Sequence, residues 1–126
     1  MENKQKQVLR AYLSGPISGY DMNERRKAFS EAAAFISEPG VEVVSPFDNG
    51  LPDDADWSDH MLRDLEMLIE CDMMVLLPGW QHSRGCLTEV RFARKLGLLV
   101  LGYGVDEQSE YERYCKEHPI KCWKQK

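Results

Sequence analysis

Three carboxylates, Asp64, Asp72 and Glu89, can divide one reaction between them if the fold brings them to one cleft. An ionised, partly dry carboxylate attacks an electrophilic carbon or steadies a cationic transition state. A second one, its pKa raised by its surroundings, serves for proton transfer. Glu89 lies about one turn into a helical stretch, where the helix dipole favours the ionised form. Taken singly, a glutamate on such a helix is most often solvated. His82 joins the acid–base candidates by residue type, although a loop histidine is more often plain surface.

Two loops have the composition of ligand loops. In "YLSGPISG" (12–19), Gly15, Ile17, Ser18 and Gly19 follow a strand-like run. The spacing is neither the P-loop nor the dinucleotide fingerprint. Two readings stay open, a turn whose glycines adopt positive φ or a backbone that approaches a ligand. In "PGWQHSRGC" (78–86), Ser83 and Gly85 stand where a helix begins, and Arg84 adds a full charge. Helix-start N–H groups with a cation suit a phosphate monoester; a plain N-cap role for Ser83 uses the same geometry. Phe47, Trp57 and Trp80 lie in candidate ligand loops, where aromatics stack on a base or pack as a lid.

These residues need a scaffold. "VLRAYLSG" (8–15) reads as a strand ended by Gly15-Pro16, and "VEVVSP" (41–46) as a second. "DMMVLLPG" (72–79) and "LLVLGYG" (98–104) are continuous apolar runs, as in strands covered on both faces. Helical spacing marks the segments between them. Phe29, Ala32, Ala33 and Ile36 form one stripe, with Asp21 or Asn23 as cap and Arg25 and Arg26 read as surface charges. Met61, Leu62, Leu65, Leu68 and Ile69 form another, capped by Ser58 or Asp59, with Asp64 at its edge. "CLTEVRFARKLG" ends at Gly97 as C-cap, "DEQSEYERYCKEH" (106–118) is a polar helix, and "PIKCW" (119–123) is a candidate last strand. The alternation predicts a doubly wound, flavodoxin-like α/β three-layer sandwich with a parallel sheet of about five strands, one domain over 1–126. Ligands of such sheets bind beyond the carboxyl ends of the strands, at the switch point.

Composition removes other classes. With 43% apolar residues the chain has material for a core, and a net charge of −5 argues against coating duplex nucleic acid. Cys71, Cys86, Cys115 and Cys122 match no zinc template, and neither a metal nor a cofactor is expected. Cys71 and Cys86 read as buried packing. No signal-like or membrane-length apolar run is visible, so a cytoplasmic protein without a membrane partner is expected.

The pieces "YLSGPISG", "DLEMLIECDMMVLL" and "HSRGCLTEVRFA" together resemble the nucleoside 2-deoxyribosyltransferase superfamily, with the 2'-deoxynucleoside 5'-phosphate N-hydrolases and small bacterial and phage proteins as nearer relatives. The resemblance runs from about residue 9 to residue 102 and is strongest over 64–93. It implies cleavage or transfer at the N-glycosidic bond of a nucleoside or nucleotide. By the same resemblance Glu89 is the nucleophile, Asp64 protonates the leaving base or holds the sugar, and Tyr12 orients Glu89. Asp72 is a further active-site or structural aspartate, and Ser83 and Gly85 form a 5'-phosphate cradle. The hydrolases carry an arginine in the first loop, where this chain has Ser18; Arg84 or Arg25 is the substitute, or the ligand lacks the phosphate. The resemblance also implies a homo-oligomer, a dimer or larger, whose matching C-terminal segment is not recognisable here. Two other readings compete: a nucleotide sensor that keeps the fold without turnover, and the fold of cytokinin-activating phosphoribohydrolases, of which "RGCLTE" is a faint echo.

Overall fold

A computed structural model describes residues 8–123. Residues 1–7, part of the stretch in which no leader is expected, and residues 124–126 lie outside the described residues. The strands are β1 (Leu9–Ser14), β2 (Val41–Val44), β3 (Met73–Leu76) and β4 (Leu99–Gly102); the helices are α1 (Met22–Ile36), α2 (Trp57–Ile69), α3 (Arg84–Leu96) and α4 (Val105–Glu117). All strand pairs are parallel, in the order β2-β1-β3-β4. The expected flavodoxin-like layout is therefore present with four strands among the described residues rather than five. Residues 119–123 form no strand. They fold back on the end of α3, where the Trp123 N–H donates to the Lys95 carbonyl at 2.7 Å and the indole packs on Phe92.

Alternation along the strands sorts side chains into two cores. Leu13, Val75 and Leu77 pack with Phe29 and Ala32 of α1. On the other face Tyr12, Met74, Leu76 and Val100 pack with Leu68 of α2, Val90 and Ala93 of α3, and Tyr111 and Tyr114 of α4. Asp21 caps α1 by accepting from the Asn23 N–H at 3.1 Å. α2 starts earlier than its apolar stripe suggests: Asp56, not Ser58 or Asp59, stands at the N-cap, and its side chain makes no capping bond. Gly97 closes α3 in the left-handed conformation, φ 82°, as the C-cap reading requires.

Two glycines are set by close approach. A Cβ on Gly15 would lie 2.9 Å from Leu77 Cβ and 3.2 Å from Phe29 Cζ, so this glycine serves the packing of β1 against β3 and α1. A Cβ on Gly102 would run into the backbone of Gln108, and the Gly102 N–H donates to Gln108 Oε1 at 2.7 Å. Because the obstacle is helix backbone rather than a flexible side chain, Gly102→Ala is expected to lose about 3 kcal/mol or more. Thermal melts of the purified variant check this.

Candidate active site

Strand order reverses between β1 and β3, and the loops beyond their carboxyl ends frame one cavity of about 550 Å³. The loop after β1 supplies Gly15, Pro16, Ile17 and Ser18, and the loop after β2 supplies Phe47 and Asn49. Asp64 and Trp57 come from α2, and Ser83, Arg84, Gly85 and Glu89 from the start of α3.

Glu89 sits at the floor, 5% exposed. Both of its oxygens are taken: Tyr12 donates to Oε2 at 2.7 Å and Ser14 to Oε1 at 2.7 Å. Tyr12 and Ser14 alternate on β1, so they share the face that meets α3. Burial pushes Glu89 up to about 8 against the pull of the two hydroxyls. The helix-dipole expectation of a plainly ionised Glu89 is thus outweighed by desolvation. Burial also drives the Tyr12 hydroxyl well above its usual range, which keeps it a neutral donor. Removing that donor in Tyr12→Phe is expected to raise Glu89 further, by about one pKa unit, as fits the loss of a hydrogen bond to a carboxylate. NMR titration of the Glu89 carboxyl carbon reads the shift.

Asp64 is the second buried carboxylate, raised to about 6 by burial. Asn49 donates to its Oδ1 at 2.9 Å, and Arg63 adds positive potential; both act against the rise. At neutral pH the Glu89–Asp64 pair therefore carries about one negative charge and one proton between its members.

The third carboxylate does not join them. Asp72 precedes β3 at the opposite end of the sheet, where its Oδ2 accepts from the Arg10 N–H at 2.8 Å. It has the structural half of its expected role. Trp80 is fully buried, edge-on to Tyr111 and Tyr114, and is no part of the cavity. His82 is exposed and also outside it. Gly19 has φ 85° with open space around it and serves the turn, while Ser18 and Ile17 face the cavity. Cys71 and Cys86 are buried, and burial pushes their thiols up to about 11 and about 12, as inert packing requires.

Ser83 is the N-cap of α3 and accepts from the Cys86 N–H at 3.2 Å. The amides of Arg84 and Gly85 precede it, among the donors that every helix start leaves free. Arg84 is a cation at the positive end of a helix dipole, an unfavourable place. Its guanidinium lies 3.9 Å from the Trp57 ring centroid. Gly85 has ordinary clearance, so its smallness leaves room rather than relieving a clash.

Several residues escaped the sequence reading. Ser14 carries the period-two signal of Tyr12. Arg25, read as a surface charge, is 8% exposed and donates from Nε to the Pro16 carbonyl at 2.6 Å, bracing the first loop. Its spacing to Phe29 and Ala32 is the core stripe of α1. Asn49 and His60 had no sequence signal beyond a turn and a helix position. Arg26 grips Asp53 at 2.6 and 2.8 Å above the Phe47 ring, joining α1 to the loop before α2.

The parallel sheet, its order and its flanking helices define a doubly wound, flavodoxin-like α/β domain. Within that class the chain belongs to the family described as "Domain of unknown function (DUF4406)", whose model matches residues 9–102. Among solved structures it is similar to a 2-desoxiribosyltransferase from Leishmania mexicana, with TM-score 0.59 and 19% identity, over 75% of this chain and 63% of that one. It is also similar to a conserved protein from Enterococcus faecalis V583, with TM-score 0.57 and 19% identity, over 91% of this chain and 78% of that one. The chain thus spans less than two thirds of the Leishmania protein. No curated protein sequence matches. No described helix is long and apolar enough to cross a membrane.

Proposed function

We propose that this protein cleaves the N-glycosidic bond of a 2'-deoxynucleoside or its 5'-monophosphate, by hydrolysis or by transfer to another base. The observation that carries the reading is Glu89. A buried carboxylate held by two hydroxyls at 2.7 Å has one fixed orientation at the floor of a nucleoside-sized cavity. Departure of the base leaves positive charge on the sugar ring, and a fixed anion beneath it is worth most at that moment. Glu89 attacks the anomeric carbon as the C1'–N bond breaks, and the bonding electrons leave with the base. The pair's single proton rests mainly on Glu89, the group with the higher value, and the active form is the arrangement in which it sits on Asp64 instead; from there Asp64 gives it to the departing base. Water or a second base then displaces Glu89, its proton passing to the Asp64 carboxylate, which restores both residues. This is the division of labour of retaining glycosidases, applied to a nitrogen leaving group.

The start of α3 favours a substrate with an anionic 5' group. Orphan amides, a dipole and Arg84 sum to positive potential at one rim of the cavity. Ser83 contributes as the cap that exposes those amides, and Ser18 and Ile17 face the same space.

The experiment is direct. Nucleosides and nucleoside 5'-monophosphates of the deoxy and ribo series are incubated with the protein, with and without a second base, and released base is measured by chromatography. Release from a deoxynucleotide supports the reading; its absence across the set, with a nucleotide still raising the melting temperature, favours the sensor. The active pair needs one proton and one charge. The kcat/KM profile is therefore expected to be bell-shaped, falling below about pH 6 as the charge is neutralised and above about pH 8 as the proton is lost.

A further inference from the structure

Asn49 is the most heavily bonded polar residue beside the cavity, and it is 3% exposed. Its Oδ1 accepts from the Leu51 N–H at 3.0 Å, which turns Nδ2 towards α2. One Nδ2 hydrogen goes to Asp64 Oδ1 at 2.9 Å and the other to His60 Nδ1 at 3.0 Å. The Asn49 carbonyl accepts from Arg63 Nε at 3.2 Å, and its own N–H donates to the Pro46 carbonyl at 3.3 Å. His60 and Asp64 are one turn apart on α2, so a single amide serves both.

The tautomer of His60 follows. Nε2 lies 3.0 Å from the Pro52 carbonyl, which only accepts, so Nε2 carries the hydrogen and Nδ1 is the acceptor that Asn49 needs. The chain of bonds then runs in one direction, from Pro52 through His60 and Asn49 to Asp64. An Asp64 oxygen that accepts an amide N–H is disfavoured as the site of the acid proton. That proton is left to Oδ2.

We infer that Asn49, locked by His60, is a positioning residue that reserves Oδ2 of Asp64 as the proton-bearing oxygen in the cleavage step; the inference rests on the glycosidase reading. It assigns work to a loop residue and a histidine that do not touch the bond being broken. The charged group that acts on Asp64 from its own helix is Arg63, the titratable His60 faces it through Asn49, and Asp64 is electrostatically linked to Glu89 on α3.

The test uses Asn49→Ala and His60→Leu, with two readouts. The first is NMR titration of the Asp64 carboxyl carbon in the ligand-free protein. Asn49→Ala removes a donor that favours the carboxylate, so its midpoint is expected to rise by about half a unit or more. The second is turnover of an unmodified purine deoxynucleotide against its N7-methylated form, whose base departs without a proton. Both variants are expected to lose about tenfold in kcat on the first and less than about twofold on the second, with KM little changed. A mere loop anchor predicts equal losses on both substrates and an unmoved Asp64 midpoint, and either result overturns the proposal. Should Asn49→Ala not fold, Asn49→Ser carries the same titration. If the wild-type protein releases no base, the glycosidase reading fails, and the titration alone decides whether Asn49 governs Asp64.

Discussion

Glu89→Gln is expected to lose at least ~10³-fold in base release and to melt at a higher temperature than wild type in alkaline buffer. The first effect follows from removing the group that, in the proposed reaction, bonds to the sugar carbon. The second follows from linkage. Burial holds Glu89 at about 8 in the folded protein, above its ordinary 4.5, so folding favours the protonated form. The Glu89 contribution to wild-type stability is therefore greatest in acid and declines as pH rises from about 4.5 towards 8. Each pKa unit is worth ~1.4 kcal/mol, and glutamine has no proton to lose. The melting temperatures are expected to be similar at pH 4.5 and to separate by ~5 °C or more at pH 9, with the variant on top. Scanning calorimetry across that range, beside a base-release assay, checks both halves. Equal melting curves at every pH would mean that the burial of Glu89 costs nothing, and its poise for catalysis would go with it.

Asp64→Asn is the second large effect. The new side-chain amide can still accept from Asn49 through its own carbonyl oxygen, so the fold of the loop is kept. What is lost is the proton. Release of an unmodified purine or pyrimidine is expected to fall ~10²–10³-fold, the usual worth of a positioned general acid. An N7-methylated purine carries its positive charge already and departs neutral. Its release is expected to fall less than ~10-fold. A uniform loss on both substrates would sink the assignment of Asp64 as acid and leave it a sugar-holding residue.

Much of this arrangement was legible before the fold, and the reasons are local. Uniformly apolar runs between helical stripes can only be strands covered on both faces, and that makes the sheet parallel. Once β1 and α3 face each other, Tyr12 and Glu89 meet across 77 positions of sequence. Asp72 shows the limit. It stands in the same stretch of chain as Asp64, yet it lies just before the start of β3, at the end of the sheet opposite the site. "PIKCW" shows another limit. Its apolar residues are as well spent packing on the end of α3 as pairing beside β4, and composition does not distinguish the two. Asn49 lay out of reach because its importance comes from which partners surround a loop amide, not from its type. Arg25 was within reach: a long side chain on the apolar stripe buries its stem and turns its head to the nearest carbonyl.

Helix α3 carries the N–H groups at the rim and Glu89 at the floor on one continuous rod. Gly85 and Glu89 are four residues apart, which sets about 6 Å along the axis between them. No loop motion alters that spacing, because no hinge lies between the two. The helix is a ruler. In the proposed reaction, a ligand anchored at its start would present to Glu89 only the atom that lies one helical turn away, so substrates would be sorted by the length between an anionic handle and the bond to be cut, before any feature of the base is read.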